Sequence, residues 1–117
     1  MKDLNYRPVL GGTRVFAAWL LDLKNQSGAY VIRSNKTKEI LYVGESHTSR
    51  LAATIRRHFH HWNDTPDRKH FTYSPHHVEV AVRLTPPPAA LGAQNNLIQR
   101  MLPRDNTTGY GPAEKPF

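Results

Sequence analysis

Cysteine is absent from the 117 residues. That removes disulfide staples, thiolate metal sites and cysteine nucleophiles together. Long apolar runs are missing too. The longest, Val15 to Leu21, stops at Asp22, well short of the roughly 18 residues a membrane span needs. It has neither the charged start nor the small-residue cleavage site of a signal peptide. Acidic residues are scarce, nine against sixteen Lys and Arg, so the net charge is +7 with seven His uncounted. These absences describe one soluble, cytoplasmic domain. The basic excess favours a polyanionic partner, most often nucleic acid, although charge alone does not choose between that and mere solubility.

What is present is patterned. Hydrophobic residues make up 38% of the chain and come in runs, enough for one modest core. Met1 to Gly12 has no clear period and reads as a lead-in. Thr13 is placed to cap a helix reaching about Asn25, with Phe16, Leu20 and Leu23 at helical spacing. Ala29–Arg33 and Glu39–Val43 are rich in β-branched and aromatic residues, and the polar Ser34–Lys38 between them predicts a hairpin. Ser49 is a candidate N-cap for a helix from Arg50 to His61 or Trp62, with Leu51, Ile55 and Phe59 on its inner face and His58 at that face's edge. Asn63 to Pro75 reads as a loop. Val78, Val80, Val82 and Leu84 alternate with polar or small residues as a strand. Pro86–Pro88 ends that strand and opens a helix from Ala89 to Met101, with Leu91, Leu97, Ile98, Met101 and Leu102 inward and Pro103 as the stop. The expected fold class is α+β: a β-β-α-β-α core, a small mixed sheet flanked by helices, behind an extra N-terminal helix.

Four features fall in order along this core. Gly28-Ala29-Tyr30 lies on one hairpin strand and Tyr42-Val43-Gly44 on the next, with eleven residues between the tyrosines. The following helix ends in Arg56-Arg57-His58-Phe59, and the distal segment reads Gln94-Asn95-Asn96-Leu97-Ile98, then Leu102-Pro103-Arg104-Asp105-Asn106. In this order and spacing the segments resemble the GIY-YIG nuclease superfamily, and the distal one resembles the incision domain of bacterial excision-repair nucleases. The likeness covers about Ser27 to Asn106. It implies a nuclease domain over 27–106, behind a lead-in and helix over 1–26 and before a tail over 107–117. It also implies an endonuclease that hydrolyses DNA phosphodiester bonds with one divalent metal, Mg²⁺ or Mn²⁺.

The resemblance makes Tyr42 the candidate base or water-orienter, supported by Tyr30, because a phenol beside a cation and a metal loses its proton more easily. His58 matches the family's helix histidine, which either binds the scissile phosphate or shares a proton with the tyrosine. Asn106 matches the asparagine that braces the backbone or the metal-ligand region. Gly28 and Gly44 read as backbone requirements.

Two positions depart from the family pattern. Thr54 stands where the phosphate-binding arginine is expected, and Arg50 or Arg57, each about one turn away on the same stripe, offers a replacement guanidinium. Gln94 stands where the metal-binding glutamate is expected, on the apolar side of its helix, so Gln94 is the metal position of an active form and its amide predicts an inactive chain. Three explanations stay open: a glutamate exchanged for glutamine to keep substrate uncut, a naturally inactive binder, or a carboxylate elsewhere, with Glu79 and Glu45 the nearest.

The expected DNA-binding residues are Arg50, Arg56, Arg57, His61, Arg68 and Lys69, contacting single- or double-stranded DNA mainly through phosphates. Trp62, Phe71 and Tyr73 offer stacking surfaces for splayed bases. The histidines lack convincing zinc spacing. The rival reading is a catalytically inactive nucleic-acid-binding module.

Overall fold

The computed structural model describes residues 4–11, 16–59 and 73–106. Its strands are β1 (Arg7–Pro8), β2 (Gly28–Ser34), β3 (Ile40–Ser46) and β4 (Val78–Leu84). One helical turn, α1 (Ala18–Leu21), precedes β2. Helix α2 (Leu51–Arg57) follows β3, and α3 (Ala90–Met101) follows β4 after a 3₁₀ turn at Pro87–Ala89. The strands form one sheet in the order β1-β4-β2-β3. The α+β layout is as expected, but the sheet is antiparallel throughout rather than mixed. β3 and β4 run the same way, yet β2 lies between them and pairs with both.

Side chains alternate across β2 and so divide the core into two layers. Tyr30 and Ile32 share one buried layer with Leu51 and Ile55 of α2 and Val80 of β4. Ala29 and Val31 share the other with Val43, and with Leu97 and Ile98 of α3. The β-branched and aromatic content of β2, β3 and β4 suits such a half-buried pleated surface. The hairpin turns at Ser34, whose hydroxyl accepts the Lys36 and Thr37 amides at 3.2 and 3.0 Å, and Lys38 takes a left-handed φ of 64°.

Several further expectations need correction. The N-terminal helix is four residues long and ends at Leu21 instead of reaching about Asn25, and Thr13 lies outside the described residues. Leu10 bridges Phe16, and the Ala17 amide donates to Val9 O at 2.8 Å. Phe16 and Ala17 are therefore paired with Leu10 and Val9 instead of joining a helical ladder. The lead-in also contains β1, which adds to the outer edge of β4; Pro8 suits an edge strand because it has no amide to donate.

Ser49 is not the cap of α2. It adopts a left-handed φ of 62° and donates its amide to Ser27 Oγ at 2.9 Å. The first free amides of α2 are taken instead by Ser46 Oγ, which accepts from Arg50 at 3.1 Å, and by Gln26 O, which accepts from Leu51 at 3.0 Å. The helix ends at Arg57, with His58 and Phe59 in the following turn; the expected end at His61 or Trp62 and the loop 63–72 lie outside the described residues. Leu102 is not inward either. It closes α3 in the left-handed conformation and is 79% exposed, while Leu97 and Ile98 are buried as expected.

The chain after α3 runs along the open edge of β3. Arg104 N–H donates to Ile40 O at 3.0 Å and Asp105 N–H to Leu41 O at 2.8 Å. This covers an edge that would otherwise be free to pair with another strand. No helix among the described residues is long and apolar enough to cross a membrane.

Candidate active site

Tyr30, Tyr42 and His58 come together on the α2 side of the sheet. Tyr30 lies directly across from Gly44, and Ile32 from Tyr42, so both phenols project from one face of the hairpin. The Tyr30 hydroxyl and His58 Nε2 are 2.6 Å apart, and the His58 ring is 4.8 Å from the Tyr42 ring, centroid to centroid. A Cβ at Gly44 would overlap the Tyr30 phenol, and one at Gly28 would overlap Arg83 O. Both glycines therefore serve close backbone approach, as the sequence suggests.

Tyr30 and His58 are fully buried. His58 is thus hydrogen-bonded to Tyr30, the supporting tyrosine, and in ring contact with Tyr42. Tyr42 sits nearer the surface, yet burial, with the Glu45 carboxylate as a second cause, pushes its hydroxyl up to about 12. The expected lowering by a neighbouring cation is therefore reversed. With no positive charge added beside it, Tyr42 keeps its proton at neutral pH.

A second network supports the cluster. The Tyr73 ring lies 6.0 Å from His58, and its hydroxyl donates to Asp105 Oδ2 at 2.7 Å. Burial first, and then this hydrogen bond, hold the Tyr73 phenol in its neutral form. Arg104 caps the Asp105 carboxylate with two hydrogen bonds, Nε at 2.8 Å and Nη2 at 2.9 Å. Tyr73 is thus an interior strut, and the stacking role suggested for it is withdrawn; Trp62 and Phe71 lie outside the described residues. Asn106 braces the backbone, as one reading had it: its Oδ1 accepts from Val43 N–H at 2.8 Å and its Nδ2 donates to Val43 O at 2.9 Å. One side chain thereby pairs with both backbone groups of the residue beside Tyr42.

Gln94 is buried on the opposite, α3 side of the sheet, one turn before Leu97 and Ile98. Its Nε2 donates to Asn95 Oδ1 at 3.3 Å. The same side holds a buried carboxylate, Glu45, one of the two acids nearest to the motif in the sequence. Glu45 pairs across the hairpin with Ala29, whose side chain belongs to the α3 layer, so Glu45 faces that layer too. Its signal was the same alternation that places Val43 inward, extended by two residues; the expected strand stopped at Val43, whereas β3 continues to Ser46. Glu79, the other acidic candidate, is tied to Arg33 and, at 3.3 Å, to Lys38.

Among the described residues no three His, Cys, Asp or Glu side chains form a metal cage. Mg²⁺ does not need one, since it keeps several waters and takes one or two carboxylates. The α3 side supplies one carboxylate, at Glu45, and one amide, at Gln94. A carboxylate is the oxygen donor a hard divalent ion prefers, and on this side it stands at position 45 and not at 94.

Thr54 is buried in the interior-facing part of α2 and presents nothing to a phosphate. Arg50 is exposed just before α2, its Nε 3.4 Å from Thr48 Oγ1, and Arg57 is half-buried in the last turn. Arg50 and Arg56 join Lys24 and Ser49 along a groove of about 450 Å³ between the turn after α1 and the start of α2. The Arg56 Nε atom is buried there with no hydrogen-bond partner among the described residues. His61, Arg68 and Lys69 lie outside the described residues. No protein-family model matches the chain, and no curated protein matches it.

Proposed function

We propose that the chain is a DNA endonuclease of the GIY-YIG type, hydrolysing phosphodiester bonds with one divalent ion. The observation that supports this reading most is the assembly around the hairpin. Tyr30, Tyr42, the helix histidine and the distal asparagine, far apart in the sequence, are joined by direct hydrogen bonds or ring contacts to a single pair of strands. Chance occurrence of the short motifs gives no reason for Asn106 to reach Val43, or for His58 to meet Tyr30.

Hydrolysis needs an oriented water, stabilised charge on the phosphorus centre and a proton for the departing oxygen. Tyr42, held neutral, orients a water through its hydroxyl. Tyr30 and His58 fix the position of Tyr42 from behind. Arg50, exposed at the head of α2, supplies the guanidinium that binds a phosphate in place of the buried Thr54. Mg²⁺ or Mn²⁺, when bound, supplies positive charge to the reacting phosphate. Lys24 and Arg56 extend the positive surface from Arg50 for backbone contacts that carry little sequence information.

Gln94 favours one second reading, a nucleic-acid-binding module that does not cleave, because an amide replaces the charge expected there. End-labelled single-stranded and duplex DNA incubated with Mg²⁺ or Mn²⁺ separates the two. Cleavage by the natural chain, lost in Tyr42→Phe, supports the enzyme. Binding at modest salt without cleavage, by either the natural chain or Gln94→Glu, leaves the module. Absence of any DNA binding removes both.

A further inference from the structure

With an amide at position 94, an ion-dependent hydrolase needs its carboxylate elsewhere. One row across the sheet offers it. Ala29 in β2 pairs with Glu45 on one side and with Arg83 on the other, so an acid and a base flank a methyl group on the α3 side. Glu45 is 0% exposed. A carboxylate removed from water is costly unless charge or hydrogen bonds compensate it, so a sequence keeps one there for a reason. Both Glu45 oxygens lie close to Nδ1 of His47, at 3.2 and 3.1 Å, and the His47 side chain is 44% exposed. The pair reaches from the sheet interior to solvent, just beyond the Tyr-Val-Gly segment.

We propose that Glu45, with His47 as its outward partner, is the carboxylate that holds the divalent ion in this chain, and that residue 94 is not its anionic ligand. The inference rests on the endonuclease reading for its purpose, but the site stands on its own geometry. Ligand atoms about 2.1 Å from an octahedral ion and at right angles to each other are about 3 Å apart. The Nδ1 and carboxylate oxygens already have that separation. The Glu45 oxygens and His47 Nδ1 are thus spaced to share one ion. His47, the exposed end of the pair, is where an ion would enter, because the Glu45 carboxylate itself is buried. An ion at this place also offsets the Glu45 charge, one of the two causes that keep Tyr42 protonated.

The test is Mn²⁺ binding to the full chain, read as loss of the free-ion paramagnetic resonance signal, with circular dichroism as the folding control. The natural chain should bind one ion. Glu45→Gln, nearly isosteric, should weaken binding at least about tenfold, His47→Ala about threefold or more, and Gln94→Ala by less than about twofold. Unchanged affinity in Glu45→Gln, or no binding by the natural chain at millimolar Mn²⁺, overturns the proposal. Should Glu45→Gln fail to fold, the exposed His47 decides: His47→Ala weakened with Gln94→Ala unchanged supports the site, and the reverse pattern overturns it. Cleavage assays on the same samples keep the two readings apart. DNA cleavage with Mn²⁺ affinity indifferent to Glu45 sinks the metal site and leaves the nuclease. Mn²⁺ held through Glu45 with intact DNA leaves the metal site and sinks the nuclease.

Discussion

Removing the Tyr42 hydroxyl, as Tyr42→Phe, should make folding stability less sensitive to alkaline pH. In the folded chain this phenol is pushed up to about 12, by burial first and by Glu45 second, whereas an unfolded tyrosine titrates near 10. Below about pH 10 both states carry the proton, and the contribution to stability is complete. Between that pH and about 12 the unfolded chain has lost its proton while the folded chain keeps it, so stability drains away as pH rises. At about 1.4 kcal/mol per unit, the window amounts to about 3 kcal/mol. Urea unfolding of the natural chain and of Tyr42→Phe at a series of alkaline pH values measures the difference directly. The natural chain should lose ground to the variant across the window. Phenolate absorbance of the natural chain minus that of the variant should show a step well above pH 10. Glu45→Gln should lower that midpoint modestly, because burial is the larger cause. A step at or below about pH 10 in the metal-free protein would refute the raising of the Tyr42 phenol by burial.

Other perturbations test the scaffold and the DNA surface. Asn106→Ala removes two hydrogen bonds to Val43 and should cost about 1–3 kcal/mol in urea unfolding, with faster exchange of the Val43 amide; unchanged protection would show that the brace is ornamental. Gly44→Ala places a methyl inside the Tyr30 phenol, so a loss of about 3 kcal/mol is expected from displaced packing and the broken Tyr30–His58 bond, visible as a large fall in melting temperature. Alanine at Lys24, Arg50 and Arg56, which line the α1–α2 groove, should each weaken DNA binding and flatten its salt dependence by about one unit of log–log slope. A salt slope that stays constant in all three would place the phosphate path elsewhere.

Much of the strand framework was legible because it rests on local chemistry. Tyr30, Val31 and Ile32, and Val78 and Val80, declare pleated, half-buried strands through their residue types, and the polar Ser34–Lys38 declares the turn between the first two. The close approaches at Gly28 and Gly44, and the bracing by Asn106, were legible through their place in the motifs. What escaped the sequence depends on tertiary pairing. β1 is two residues long, too short for any period, and exists because Val80 and Glu79 offer it an edge. Leu20 and Leu23 are buried as a helical pattern predicts, yet the single helical turn carries only Leu20, and Leu23 lies in the turn after it. Leu102 continued the apolar pattern of α3 on paper, but the left-handed residue that ends the helix turns it outward. For the site, the cluster of Tyr30, Tyr42 and His58 was foreseen and the protonation of Tyr42 was not. Desolvation depends on packing from elements remote in sequence, and the charge beside the phenol is an acid where a base was expected. The two tyrosines and Gln94 also occupy opposite faces of the sheet, which alternation shows only once the register is known.

The most direct trial of the endonuclease reading is relaxation of supercoiled plasmid by the purified natural chain in the presence of Mn²⁺. Open-circular product that accumulates with the natural chain and is absent with Tyr42→Phe is the predicted result. Plasmid left fully supercoiled, at protein concentrations where gel retardation shows the DNA saturated, would contradict it.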